Sequence, residues 1–396
     1  MSVDTKTELP SDPTITSDKR AAPKIHLGYL DSLRALAALH VVMVHAMDQV
    51  DRNSLHSPSY VHWFRDHCCY GHHAVGLFIV LSGFCLMLPV AKGDGTLRGG
   101  AWNFYKKRAR RILPTYYLSL AVCLILIATF LNQKTGSPWD LTFPVTSKDL
   151  ITHLLMVQDA FAETGDKINY ALWTVAVEWR IYFVFPLLVL GWQRFGAVKT
   201  TVAAIIIGYL LLVLLRPTFI YTMTDGVTPE YLGLFAMGML GAGITFSPAG
   251  GLADLRRRAP WGWVVLGTTV MLLFLSNAHL YHGTLIPIST LDLFVGLWAT
   301  SLLIAAGYTS ETRLHRALSW KPLAFLGTFA YSIYVIHAPL LQLIGLYIVR
   351  PMHLTPSLGF VSIFAVFIPI VVAGSYGFFL ACERPFLNRR VVLNTK

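Results

Sequence analysis

Residues 29–46 read Tyr-Leu-Asp-Ser-Leu-Arg-Ala-Leu-Ala-Ala-Leu-His-Val-Val-Met-Val-His-Ala. The stretch is apolar enough to cross a bilayer, yet it carries Asp31, Arg34, His40 and His45. Arg34 and His45 lie eleven residues apart, about three helical turns, so they share one face roughly 16 Å apart along the axis. Ionisable groups at membrane depth are costly, and a basic residue and an imidazole on one stripe read as a reaction path. The alternative is a snorkelling Arg and a core His held by a neighbouring helix. Either way the segment makes the chain a membrane protein.

The composition agrees. Apolar residues make up 55% of the 396 and charged residues 13%, against about 25% charged in soluble domains; mean hydropathy is +0.55. Apolar runs recur near 30–49, 71–90, 112–131, 171–190, 200–215, 230–246, 261–276, 285–306, 322–348 and 358–381, which predicts an all-α bundle of about ten transmembrane helices. With the N-terminus inside, cytoplasmic segments hold 22 of the 32 Lys and Arg and outer loops seven. That alternation puts both termini in the cytoplasm and assigns the +11 net charge to topology rather than nucleic acid. Residues 1–28 form a polar tail expected to be disordered, 29–387 the membrane domain and 388–396 a short basic tail. The tail has no apolar signal core, so the first span is expected to act as an uncleaved anchor.

Two connecting segments stand apart. The inner one, 91–111, is the most basic part of the chain; the outer one, 132–170, is the longest and carries Asp140, Asp149, Asp159, Glu163 and Asp166. Within it Leu150–Val157 is apolar but too short to span, and suits an interfacial piece. The segment 51–73 holds His56, His62, His67, Cys68, Cys69, His72 and His73, but no zinc spacing emerges, and no metal site is expected. The five cysteines build no disulfide framework.

Three further segments carry candidate chemistry. Arg108 and Arg111, at i and i+3, project from one helix face and can grip phosphate oxygens, unless they are ordinary positive-inside basicity. Pro114 fits the first turn of the third span. Trp173 to Pro186 buries Glu178, with Tyr182 one turn on. Glu178 and His45, both in outer halves of their spans, suit a base and its orienting carboxylate; a structural contact of Glu178 with Arg180 or His45 is the alternative. Tyr331, Tyr334 and His337 form a stripe in the ninth span that either lines a cavity or ties helices together. Asp292 is an intramembrane acid with no evident partner.

Together these segments resemble the membrane acyltransferase family 3, which O-acylates carbohydrates and some secondary metabolites. The resemblance runs through Leu30-Asp-Ser-Leu-Arg-Ala-Leu-Ala37 with the later Val44-His45, Leu77-Phe-Ile-Val-Leu-Ser-Gly-Phe84, Arg108-Ala-Arg-Arg-Ile-Leu-Pro114, Trp173 through Glu178 to Pro186, Gly327 to Pro339, and Glu383-Arg-Pro385. Gly76 stands where that family carries an acid and Ala330 where it carries Ser. The resemblance implies a ten- or eleven-helix domain moving an acyl group, usually acetyl, from cytoplasmic acyl-CoA to a hydroxyl of an extracytoplasmic carbohydrate or glycoconjugate. It makes His45 the base or acyl relay, Glu178 its partner, and Arg34, Arg108 and Arg111 the donor-binding side. Asp31, Ser82, Trp173, Tyr182, Tyr331, Tyr334 and His337 become substrate-pocket candidates, with Ser82 the one residue suggestive of a covalent intermediate. Acyl-CoA would be a co-substrate, with no bound cofactor. Members with an appended hydrolase-like domain are longer, so this chain is expected to act alone or to hand its acyl group to a partner. The competing class is a transporter or acyl-group channel with an Arg/Glu/Asp/His relay, but no repeat-like halves are visible; acylation of a macrolide-like metabolite is a further alternative.

Overall fold

The computed structural model describes residues 27–50, 57–215, 227–281 and 287–387; both tails, His56 and Arg216 lie outside them. Among the described residues the chain is all helix. In order it forms α1 (Gly28–Val50), α2 (Ser59–Cys68), α3 (Gly71–Lys92), α4 (Gly100–Thr129), α5 (Ser147–Leu154), α6 (Trp173–Phe195), α7 (Ala197–Leu215) and α8 (Tyr231–Phe246). There follow α9 (Gly251–Arg258), α10 (Trp261–Tyr281), α11 (Ile288–Gly307), α12 (Arg313–Leu318), α13 (Lys321–Gly327), α14 (Ala330–Ile344), α15 (Pro356–Ser362) and α16 (Ile368–Phe378). Among the described residues nine stretches are long and apolar enough to cross a membrane, or ten if α8 and the α9 that bends away from it count as one. The architecture is that of a multi-pass integral membrane protein.

Two differences from the sequence reading bear on the site. The basic stretch before the third span is not a loop: α4 starts at Gly100, after Gly99 in the left-handed region (φ +80°), and runs on for 30 residues. Arg108 and Arg111 are therefore carried inward on the spanning helix, and Pro114 lies well inside it rather than in its first turn. The ninth predicted span is divided, with α13 ending at Gly327 and α14 beginning at Ala330.

Glycines decide how closely the central helices approach. A Cβ on Gly83 of α3 would lie 2.0 Å from the Phe235 carbonyl oxygen, and one on Gly238 of α8 would lie 2.0 Å from that of Val80. The two helices thus cross backbone to backbone, each supplying the missing side chain. With little hydrophobic drive between helices in lipid, such close packing is what holds a bundle together. A Cβ on Gly327 would sit 1.9 Å from the Asp31 carbonyl, which locks α13 against the first turns of α1. Gly76 faces Val295, with a Cβ 2.7 Å from its methyl; an acidic side chain has no room there, which accounts for that departure from the family pattern. α1 and α3 lie at the centre, flanked by α8, α11, α13 and α14, whereas α7 and α10 present apolar side chains such as Ile206, Val213, Trp263 and Phe274 outward.

The outer segment 132–170 is a folded cap. Its α5 covers the apolar patch noted above and opens on a capping box, Thr146 accepting from the Asp149 amide and Asp149 from that of Thr146. Tyr116 and Tyr117 donate to the carbonyls of His153 (3.0 Å) and Leu154 (2.8 Å), and Asn169 donates to that of Val335 (3.0 Å). Arg180 forms a bidentate pair with the buried Asp159 and reaches the Met156 carbonyl. Burial pushes the Asp159 carboxyl up, and Arg180 opposes that shift.

Gly83→Leu and Gly238→Leu should each destabilise the protein by about 1–3 kcal/mol or more, because the opposing groups are backbone and cannot yield. Gly267→Leu on α10, where a Cβ meets nothing within 4 Å, should leave stability unchanged. Thermal unfolding in detergent distinguishes them; equal midpoints for all three would refute the close crossing.

Candidate active site

The sequence scattered its ionisable residues over six segments, and the bundle gathers most of them around one cavity of about 230 Å³. Arg34 comes from α1, Ser82 and Cys85 from α3, Arg108 and Arg111 from α4, and Glu178 and Tyr182 from α6. Tyr331 and Tyr334 from α14, and Glu383 from the last turn of the chain's final span, complete the polar lining. Spacing explains much of this: Ser82 and Cys85 are at i, i+3, as are Arg108 and Arg111, and Glu178 and Tyr182 at i, i+4.

The polar groups in the cavity are linked. Arg34 donates to Asp31 at 2.5 Å through Nη1 and to the Cys85 sulfur at 2.9 Å through Nη2. Tyr182 donates to Glu178, which leaves Ser82 as donor to the Tyr182 oxygen at 2.8 Å. Ser332 donates to Glu383 at 2.5 Å, and Thr174 donates to the Tyr334 hydroxyl at 2.6 Å. Arg108 and Arg111 form no ion pair among the described residues, and the Arg108 Nε is buried without a partner. Arg108 lies over the Phe104 ring, 6.0 Å from its centre. Two guanidiniums on adjacent turns, near the Glu178 and Glu383 carboxylates without an ion pair to either, have the charge and planar geometry to receive an anion.

His45 lies outside this cavity. Its Nδ1 is 3.5 Å from Asp48, and its ring packs against Tyr170 (4.9 Å between centres) and His337 (5.4 Å, nearly parallel). Glu178 and His45 are not brought together. Glu178 shares the cavity with Arg34, and His45 stands three turns further along α1, so in place of the expected His45–Glu178 pair, His45 has Asp48 beside it and Glu178 accepts from Tyr182. Arg180 likewise pairs with Asp159 rather than Glu178. Trp173 packs on Tyr231 and does not line the cavity. Asp31 contributes by holding Arg34. Asp292, left without a partner in the sequence, meets His72 at 3.0 Å, and His72 also meets Tyr231 at 3.0 Å. Of the other residues in 57–73, His67 contacts the Trp63 carbonyl and His73 the Ser276 hydroxyl.

Rings join the cavity to His45. Tyr334 lines the cavity and lies 5.5 Å from Phe78 and 5.7 Å from His337, which in turn stacks on His45. Tyr170, in the outer cap, closes the series. Cys85, Thr174, Tyr170 and Glu383 were not singled out as site residues from the sequence. Cys85 was legible as the residue one turn beyond Ser82, and Glu383 as an acid at the end of an apolar run; Tyr170 gave no local signal.

The cavity gathers arginines and carboxylates from several spanning helices, and His45 stands about three turns away along α1, which makes the chain a polytopic membrane protein with a polar interior. The family model "Acyltransferase domain" matches residues 27–380, and the chain belongs to that family. It is 24% identical over 335 residues to the putative peptidoglycan O-acetyltransferase YrhL of Bacillus subtilis, covering 79% of this chain and 48% of the relative. Identity to the peptidoglycan O-acetyltransferase OatA of Listeria monocytogenes is 24% over 334 residues (79% and 49%), and to the O-acetyltransferase OatA of Staphylococcus aureus 23% over 357 residues (84% and 53%). The chain spans about half the length of these relatives. No solved structure matches.

The cavity predicts a thiol reactivity pattern. In a protein with Cys68, Cys69 and Cys382 changed to Ser, a small charged methanethiosulfonate should add once, at Cys85, and leave the buried Cys123 untouched. Mass spectrometry reads the site; modification of Cys123 alone, or of neither thiol, would count against an accessible arginine-lined cavity.

Proposed function

We propose that this protein is an integral membrane O-acyltransferase that moves an acyl group, acetyl by likeness to its relatives, from acyl-CoA to a hydroxyl of an extracytoplasmic carbohydrate. The observation that carries this reading is the pair Arg108 and Arg111, unpaired in a cavity whose ring-lined wall leads toward His45. The phosphates of CoA are the anions such arginines suit. The Lys and Arg distribution puts that end of the bundle in the cytoplasm. The acyl thioester would then lie along the Phe78–Tyr334 wall, with His45 beyond its far end.

In this reaction His45 takes the proton of the acceptor hydroxyl as its oxygen attacks the thioester carbonyl. The carbon–sulfur bond breaks and CoA leaves as the thiol, its sulfur taking the proton back from the His45 imidazolium, while its phosphates stay at the basic cavity. Glu178 acts on the donor side, fixing Tyr182 and through it Ser82. Arg34 is held in place by Asp31. The relatives' names favour a peptidoglycan-like glycan over a macrolide as acceptor, and a direct transfer needs no covalent enzyme intermediate.

Turnover of labelled acetyl-CoA in membranes tests the assignment. His45→Ala should lower transfer at least about a hundredfold, the range for losing a general base. Arg111→Ala should raise the donor KM about tenfold, as for loss of a hydrogen bond between charged groups. Undiminished transfer by His45→Ala removes His45 from the chemistry, and a wild type that transports ions without turning over any acyl-CoA overturns the enzyme.

A further inference from the structure

The imidazole of His337 is fully buried, and its hydrogen bonding is half complete. Its Nδ1 lies 2.6 Å from the Tyr334 carbonyl oxygen, a group that only accepts, so Nδ1 carries the proton. Nε2 therefore bears a lone pair, and it has no partner among the described residues. A buried acceptor left unmatched costs the fold stability, and an O–H or N–H of a bound ligand would satisfy it. The place of this nitrogen limits what that donor is. His337 stacks on His45, whose side chain is 28% exposed and lies between the Tyr170 ring and Asp48. The buried imidazole is thus one ring away from a partly exposed one. On the other side Tyr334 separates His337 from the arginine cavity.

Resting on the reading of the protein as a carbohydrate O-acyltransferase, we propose that His337 is an acceptor-binding residue that recognises the sugar. Its Nε2 accepts a hydrogen bond from a second O–H or N–H of the residue being acylated, next to the hydroxyl that His45 deprotonates. A single imidazole can position one hydroxyl but cannot tell a sugar from a simple alcohol or water. Two imidazoles in face contact, one taking the reacting proton and the other a neighbouring donor, select for a polyfunctional ring. Tyr170, packed on the opposite side of His45, gives that ring an aromatic surface. Sites that hydrogen-bond a substrate group reject analogues lacking it strongly, because the site's own polar atom is then left unpaired.

The experiment uses the full chain in detergent, with a soluble peptidoglycan fragment as acceptor and acetyl-CoA as donor. His337→Phe keeps a flat ring and removes the lone pair; His337→Gln restores an acceptor oxygen near the Nε2 position. The proposal expects His337→Phe to lower kcat/KM for the fragment about ten- to hundredfold, chiefly through KM, with donor Kd within twofold of wild type and partial recovery in His337→Gln. It also expects acetyl-CoA hydrolysis by water to persist in His337→Phe. Unchanged fragment kinetics in His337→Phe overturns it. So does parallel loss of donor binding and thermal stability in both variants, which makes the residue structural. Should His337→Phe not fold, His337→Ala takes its place: weaker fragment binding and a reduced preference for the fragment over ethanol, with donor affinity intact, support the proposal, and wild-type fragment binding with unchanged preference overturns it. Fragment binding, read without turnover, separates the two levels. A His337-dependent Kd in a protein that turns over no acyl-CoA sinks the reaction while keeping the sugar site, and normal acyl-CoA turnover with no fragment binding by wild type sinks the sugar site.

Discussion

A guanidinium within a membrane-spanning helix must be answered by the protein, because the surrounding hydrocarbon offers nothing to solvate it. Arg34 sets this condition for the whole bundle. Asp31, one turn earlier on α1, supplies an ion pair, and Cys85 on α3 takes a second donor. Both partners have to be held at fixed positions, which ties α1 to α3 at one level. Arg108 and Arg111 extend the same demand to α4, and Glu178 and Glu383 bring α6 and the end of the chain to the cavity. The charged groups thus face inward together, and the outward surfaces of α7 and α10 are left to apolar side chains.

Placement at that accuracy comes from small residues. Gly83 lets α8 close on α3, and in the same turn Ser82 points to the cavity and reaches Tyr182. One short sequence, Leu81-Ser-Gly-Phe84, so serves packing on one side of its helix and the site on the other. Gly327 does the same between α13 and α1, beside the backbone of Asp31. The break between α13 and α14 follows directly, and it sets Ala330, Tyr331 and Tyr334 along the cavity wall. These are packing constraints with consequences for the polar groups next to them.

The helices were legible because apolar length and basic alternation are local properties, read within a window of about twenty residues. Residues at i, i+3 or i+4 were legible as pairs for the same reason: Arg108 with Arg111 and Glu178 with Tyr182 do share faces. What failed was depth. Glu178 and His45 each belong to the outer half of a span by counting, yet Glu178 lies in the cavity with Arg34, three turns along α1 from His45, so the counted halves do not correspond to one level in the bundle. Partners from distant helices were equally hidden, which is why Asp292 appeared alone until His72 and Tyr231 were placed beside it. Pro114 misled because the rule for first turns applies only where the helix starts, and α4 starts earlier, at a left-handed glycine.

The separation between the arginine cavity and His45 is itself a constraint on any chemistry here. Along α1 it amounts to about three turns, or 16 Å, too far for one small molecule to touch both ends. A ligand that engages Arg108 or Arg111 and also reaches His45 must be long, thin and tolerant of an aromatic wall, with its anionic part left at the basic end. A CoA thioester has that form, with phosphates at one end and the acyl group at the tip of a slender arm. Phe78 and Tyr334 line the cavity, and neither offers a charge that would stop such an arm part-way. In the proposed reaction the membrane is then crossed by the donor's arm, not by either whole substrate. That proposed reaction keeps phosphate recognition and hydroxyl recognition apart, so each can be specific without the residues of one disturbing the protonation of the other.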